Sequence, residues 1–156
     1  MDTHHIAMTA ALEEAKCAAD RDEVPIGAVI VDPRDGRIVA RAGNRTRELN
    51  DPSAHAEILA VRAACERAGA QRIPDYDLYV TLEPCTMCAG AISFARIRRV
   101  YIGALDAKGG GIMHGAKFYD QPTCHHRPEV SSGIMSHECS AILKAFFAKK
   151  RAKSRI

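Results

Sequence analysis

The sequence predicts one α/β domain over residues 1–156, three layers deep (α/β/α), with a mixed five-stranded sheet at its centre. Three observations carry this. Apolar spacing switches between the helical and the strand period in the order α-β-β-α-β-α-β-loop-β-α. No internal repeat and no long linker divides the chain. Apolar residues make up 47% of 156 residues, enough to bury the core that a sheet covered on both faces requires.

Ile6, Ala11, Leu12, Ala15, Ala18 and Ala19 form an apolar stripe on a helix over 6–19. Val24-Pro25 stops it, because proline fits poorly inside a helix. Ile26–Val31 is a β-branched strand, Asp32–Gly36 a run of turn formers, and Arg37–Ala42 the returning strand of an antiparallel hairpin. A polar loop, 43–50, leads to Asp51-Pro52, which suits a helix start with Asp as cap and Pro first. That helix runs to about Ala68 and ends at Gly69. Asp77–Thr81 is a strand, 85–95 a helix and Arg99–Ala104 a strand. Residues 106–127 are loop-rich, with three glycines at 109–111, and Glu129–Ser131 is a last short strand. Ser136 caps a final helix with Cys139, Ile142, Leu143, Phe146 and Phe147 at apolar positions. His4 and His5 read as a polar, frayed start.

The N-terminal residues lack the pattern of a secretory signal, since acidic residues interrupt the apolar positions. No run approaches the ~18 apolar residues of a membrane span. A cytoplasmic protein with no membrane partner is expected. Net charge is +3, a mild basic bias compatible with a polyanionic partner. The cytosol disfavours disulfides, so the six cysteines point to burial, metal binding or catalysis.

Cys85 and Cys88, in TLEPCTMCAG, follow a strand and open a helix. The pair fits a redox motif or half of a zinc site. A structural zinc site needs four ligands, and the chain has one C-x-x-C. His55-Ala56-Glu57 decides the matter. His55, Cys85 and Cys88 are three ligands that leave a tetrahedral zinc one position for water, with Glu57 as the adjacent general acid/base. Thiolates are favoured at a helix N-terminus. Residues two apart do not share a helical face, so His55 and Glu57 meet one ion only if their helix points end-on at it. Cys65 lies ten residues from His55, about 15 Å along a helix, too far to share the ion. Cys124-His125-His126 with His137-Glu138-Cys139 suggests a second metal site, but Cys139 falls on the last helix's apolar stripe.

HAE at 55–57 and PCTMC at 84–88 resemble the cytidine/adenosine deaminase superfamily. DEVPIGAV, the GN of 43–44, LYVTLEPCTMCAGAI and GALDAKGGG are similar to the bacterial tRNA-specific adenosine deaminases over nearly the whole chain. The resemblance implies a cytidine deaminase-like fold, one Zn2+ per subunit, a homodimer, and conversion of adenosine to inosine in a tRNA anticodon loop. It implies zinc on His55, Cys85 and Cys88, with Glu57 as proton shuttle. Asn44 would meet the base edge and Asp106 the sugar-phosphate chain beside it. Ile26 and Leu82 would join them at the substrate, and so would His125, where some relatives carry Asn.

Zinc makes hydroxide available at neutral pH, and Glu57 would carry its proton to adenine N1 and then to the departing amino group. Arg45, Arg47 and Lys108 are candidate phosphate contacts. The basic tail over 148–155 reads either as phosphate contact or as cations complementing a helix C-terminus. Phe118, Tyr119, Phe146 and Phe147 are candidates for stacking on bases, with core packing the other reading of the last two. Arg96, Arg98 and Arg99 suit a dimer contact or plain surface. Two other functions stay open: a guanine, cytosine or nucleoside deaminase using the same chemistry, and a non-catalytic zinc or RNA-binding module.

Overall fold

A computed structural model describes residues 2–154. Its elements run α1 Thr3–Asp20, β1 Gly27–Asp32, β2 Arg37–Gly43, α2 Ala56–Ala68, β3 Asp77–Leu82, α3 Thr86–Phe94, β4 Arg99–Ala104, β5 Glu129–Ser132 and α4 Ser136–Ser154. A single 3-10 turn, Phe118–Asp120, interrupts the long loop before β5. The strands form one five-stranded sheet in the order β2-β1-β3-β4-β5. β1 pairs antiparallel with both β2 and β3, whereas β3–β4 and β4–β5 are parallel. The sheet is therefore mixed, as expected, with α3 as the crossover between β3 and β4.

Strand side chains alternate between two faces, and that alternation splits the core. Ala28, Ile30, Leu78, Val80, Val100 and Ile102 face Ala56, Ala60 and Ala64 of α2 and Ala89 and Ile92 of α3. Val29, Val31, Tyr79 and Tyr101 face the other way, against Ala7, Met8 and Ala11 of α1 and Cys139 of α4. Helices thus cover both sides, and the three-layer expectation holds.

Four local readings change. The N-terminal helix starts at Thr3 rather than Ile6. Asp2 caps it by accepting the His5 N–H at 2.9 Å, and the His4 ring sits 2.6 Å from the Tyr79 hydroxyl, so these residues are ordered helix rather than fray. Asp51-Pro52 does not open α2. The Asp51 carboxylate accepts the backbone N–H and hydroxyl of Ser53 at 2.9 and 2.7 Å, which makes a local turn, and the helix begins at Ala56 with His55 as its cap. Short acidic side chains satisfy turns as readily as helix ends, which is why the two signals look alike. Ser136 is the first residue inside α4 rather than its cap, and α4 carries the basic tail as helix through Ser154, with Arg155 outside the described residues. Tyr119 is a core residue: it is buried and its hydroxyl donates to the Ala89 carbonyl at 3.0 Å, so it is not placed to stack on a base.

Candidate metal centre and active site

α2 and α3 lie on the same face of the sheet and aim their N-termini at one point. His55 is the cap residue of α2, and Cys85 is the cap residue of α3. Neither side chain caps its own helix, so both are free for another partner. The end-on condition for His55 and Glu57 is met because the chain is still extended at His55, with φ −74° and ψ 154°, and becomes helical at the next residue. Cys88 follows in the first turn of α3 and is fully buried.

His55 Nδ1 lies 3.6 Å from Cys85 Sγ and 3.4 Å from Cys88 Sγ. All three ligand atoms fall within 4.8 Å of one another, the one such cluster among the described residues. A tetrahedral zinc with ordinary Zn–N and Zn–S bonds holds its nitrogen and sulfur ligands about 3.6 Å apart. The donor set and its spacing therefore fit zinc, with three protein ligands. No cluster forms from Cys124, His125, His126, His137, Glu138 and Cys139. Cys124 is buried with its thiol on the His126 carbonyl, and Cys139 is packed in the α1/α4 core.

Glu57 is buried, at 4% exposure, on the first turn of α2. Burial pushes its carboxyl up to about 7, which sets the protonated and ionised forms near balance at neutral pH. A hydrogen bond from Cys88 draws the Cys85 thiol down to about 4, helped by His55, while the same bond, together with burial, raises the Cys88 thiol. The hydrogen bond with Cys85 in turn raises His55. The N-termini of α2 and α3 favour thiolate at this point, as a metal-thiolate site requires.

Asn44 joins the site directly. Its Oδ1 accepts the Ala56 N–H at 2.8 Å, supplying from a neighbouring loop the cap that His55 does not give. Arg21 donates to the Asn44 carbonyl at 3.1 Å, and the Asn44 N–H donates to the carbonyl of half-buried Ile26 at 3.2 Å. Asp106 folds a tight turn, its Oδ1 accepting the N–H groups of Lys108 and Gly109 at 3.1 and 3.0 Å, and leaves Lys108 exposed. Leu82 ends β3 and packs partly buried toward the α1/α4 core. Arg45 pairs with Glu48, and Arg47 with Asp22, so both cations carry partners. His125 and Phe147 are exposed. Phe146 is half-buried with the Lys150 ammonium 5.5 Å from its ring centre. Arg98 pairs with Asp77 and Arg99 with Glu129.

Two buried carboxylates escape a reading of the sequence. Glu23 accepts the N–H groups of Arg47 and Glu48 at 3.1 and 2.8 Å and so holds the loop after Asn44. Glu83 accepts N–H groups from Asp106, Ile112, Met113 and His114. Burial raises the Glu83 carboxyl, but those bonds and the His114 ring outweigh it and leave the group below its usual range. The available signal was position: an acid directly after a buried strand must find donors or stay out of the core.

A model of the cytidine and deoxycytidylate deaminase zinc-binding region matches residues 1–104. A tRNA-specific adenosine deaminase of Agrobacterium fabrum is 62% identical over 144 residues, covering 92% of this chain and 93% of that one. One of Bacillus subtilis is 41% identical over 155 residues, covering 99% and 95%. A structure solved in studies of A-to-I editing by tRNA:A34 deaminases at the wobble position superposes with a TM-score of 0.86 at 62% identity, covering 88% of this chain and 99% of that one. A guanine deaminase from Nitrosomonas europaea shares the fold at 21% identity, with a TM-score of 0.81 over 92% of this chain and 84% of that one. With three ligands at zinc spacing, a buried glutamate beside them and relatives matched along nearly their whole length, the chain belongs to the cytidine and deoxycytidylate deaminase zinc-binding family, within its tRNA-specific adenosine deaminase branch.

Proposed function

We propose that the chain hydrolyses adenosine to inosine at the wobble position of a tRNA anticodon loop, acting as a cytoplasmic homodimer. The observation that carries this reading is a buried Glu57 beside three metal ligands, in a chain 62% identical over most of its length to a tRNA-specific adenosine deaminase.

His55, Cys85 and Cys88 would hold the zinc. When bound, zinc supplies a water acidified toward ~7. Glu57 takes a proton from that water and delivers it to adenine N1, which makes C6 electron-poor. The water's oxygen bonds to C6, and Glu57 carries its remaining proton to the amino group, whose C6–N bond breaks as ammonia leaves. A carboxyl near 7 suits both halves of that task. Asn44 has committed its Oδ1 to Ala56, so its amide NH2 is the group left for an acceptor on the base edge. Ile26 lines the same corner, and Leu82 precedes the metal helix. The target base must leave its stack, which an unpaired anticodon loop makes cheap.

Around the pocket, Asp106 and Lys108 face the sugar-phosphate chain. Arg45 and Arg47 reach phosphate by exchanging Glu48 and Asp22 for it. His125 and Phe147 are exposed and meet flanking nucleotides. The α3 face opposite the core supports the dimer: Met87, Gly90, Ala91 and Phe94 lie at helical spacing, and Phe94 is 68% exposed. The subunit partner is a second copy of the chain. No helix of the described residues is long and apolar enough to cross a membrane.

The test is one set of incubations of the purified zinc-loaded protein with bulk tRNA, with guanine and with cytidine. Inosine found in anticodon loops by mass spectrometry, with both small molecules unchanged, supports the reading. Deamination of guanine or cytidine without inosine in tRNA moves the assignment to a small-molecule deaminase. No turnover of any of the three makes the protein a binding module.

A further inference from the structure

Glu83 stands between β3 and the metal helix, two residues before Cys85, and its side chain is fully enclosed. One oxygen accepts the Ile112, Met113 and His114 N–H groups at 3.2, 2.9 and 3.1 Å. The other accepts the Asp106 N–H at 3.0 Å and lies 2.8 Å from the His114 ring Nδ1. One carboxylate therefore gathers both ends of the segment 106–114.

The glycines complete the fit. A Cβ on Gly110 would stand 2.2 Å from Glu83 Oε2, and one on Gly111 would stand 2.4 Å from the backbone nitrogen of Thr86, the first residue of α3. The Gly111 N–H donates to the Pro84 carbonyl at 2.8 Å. This glycine run is a close-packed seam between a loop and the N-terminus of the metal helix. It is not a flexible flap, and the bulk it lacks is bulk that Glu83 and α3 occupy.

We propose that Glu83 is a positioning residue for the substrate: its carboxylate fixes the Asp106–Lys108 turn at a set height above the metal ligands. Resting on the tRNA reading above, the inference assigns to Glu83 a part of substrate affinity that no metal ligand or proton shuttle supplies. Glu83→Gln isolates the role. The amide oxygen can keep the Ile112, Met113 and His114 bonds, but its NH2 then faces the Asp106 N–H, donor against donor. The Asp106 turn loses its tether while the seam on α3 stays.

The experiment uses the full-length zinc-loaded protein. Amide exchange of the Asp106–Gly109 segment in Glu83→Gln should quicken about 10-fold, the scale of one lost hydrogen bond, with zinc content unchanged. On tRNA, KM should rise about 3- to 10-fold on the same scale, with kcat held within about twofold. His114→Ala keeps all four backbone bonds and should match wild type in both parameters. Unchanged exchange overturns the tether. Faster exchange with an unchanged KM overturns its role toward substrate. Loss of zinc in step with activity, or a His114→Ala protein that copies Glu83→Gln, also overturns the proposal. A wild-type protein inactive on tRNA sinks the functional reading and with it the substrate half of this one, while the exchange result still decides the tether.

Discussion

Glu57 is held out of water by α2 and α3, and that burial is what brings its carboxyl to about 7. Replacing it by Gln keeps the shape and removes the proton carrier. Glu57→Gln should retain a full zinc complement and lose about 10³-fold or more in turnover, since positioned acid–base groups contribute 10²–10⁴-fold. Parallel elemental analysis and single-turnover rates check both halves. Cys88→Ser should behave differently, because metal site and core share α3. Zinc content should fall below half, and Tm should drop by about 5 °C or more. The residues that handle the metal were legible because their chemistry demands particular side chains at particular spacings. Glu83 and Glu23 were not. An acidic residue in a sequence reads as surface, and only the fold reveals four backbone N–H groups converging on it.

Among the elements, the β1–β2 hairpin offers a sign that can be checked by titration. Asp32 accepts the Arg34 N–H at 3.0 Å and its guanidinium at 2.8 Å, and the side-chain bond to Arg34 leads in lowering its carboxyl to about 2. A folded-state value below the unfolded one stabilises above the unfolded pKa of about 3.8, and that stabilisation is lost as pH falls through about 2. Asp32→Asn should therefore have a lower Tm than wild type at pH 7, with the gap closing between about pH 4 and pH 2. Thermal melts across that range decide it. Strands and helices were readable from period and punctuation, including the close of α2 at Gly69, whose φ is 66°. The start of α2 was not. Asp51 offers its oxygen equally well to a turn or to a helix, and tertiary packing made the choice. That displacement of four residues is what turns His55 from a first-turn side chain into a cap free to bind metal.

For the molecule as a whole, the order of layers was visible from the alternation of elements, and the presence of a zinc site from its motifs. Neither gives the face that meets a second subunit. Phe94 is 68% exposed on a helix whose other side builds the metal centre, so the proposed dimer would tie assembly to the site. Phe94→Glu should shift the protein from a dimer toward a monomer of 17.0 kDa, read by light scattering after size exclusion, while zinc stays bound. A variant that remains dimeric would place the contact elsewhere.

The centre draws its His and Cys ligands from the starts of two helices, whereas the surrounding wall is made of loops pinned by Glu23 and Glu83. Those two building materials answer to separate constraints. Ligand positions are fixed by how α2 and α3 sit on the sheet, so they tolerate little drift. The loop segments must keep their carboxylate tether and the glycines at 110 and 111, and elsewhere they can alter length and composition. A lineage could thus retool what enters the pocket again and again without disturbing the chemistry at its floor.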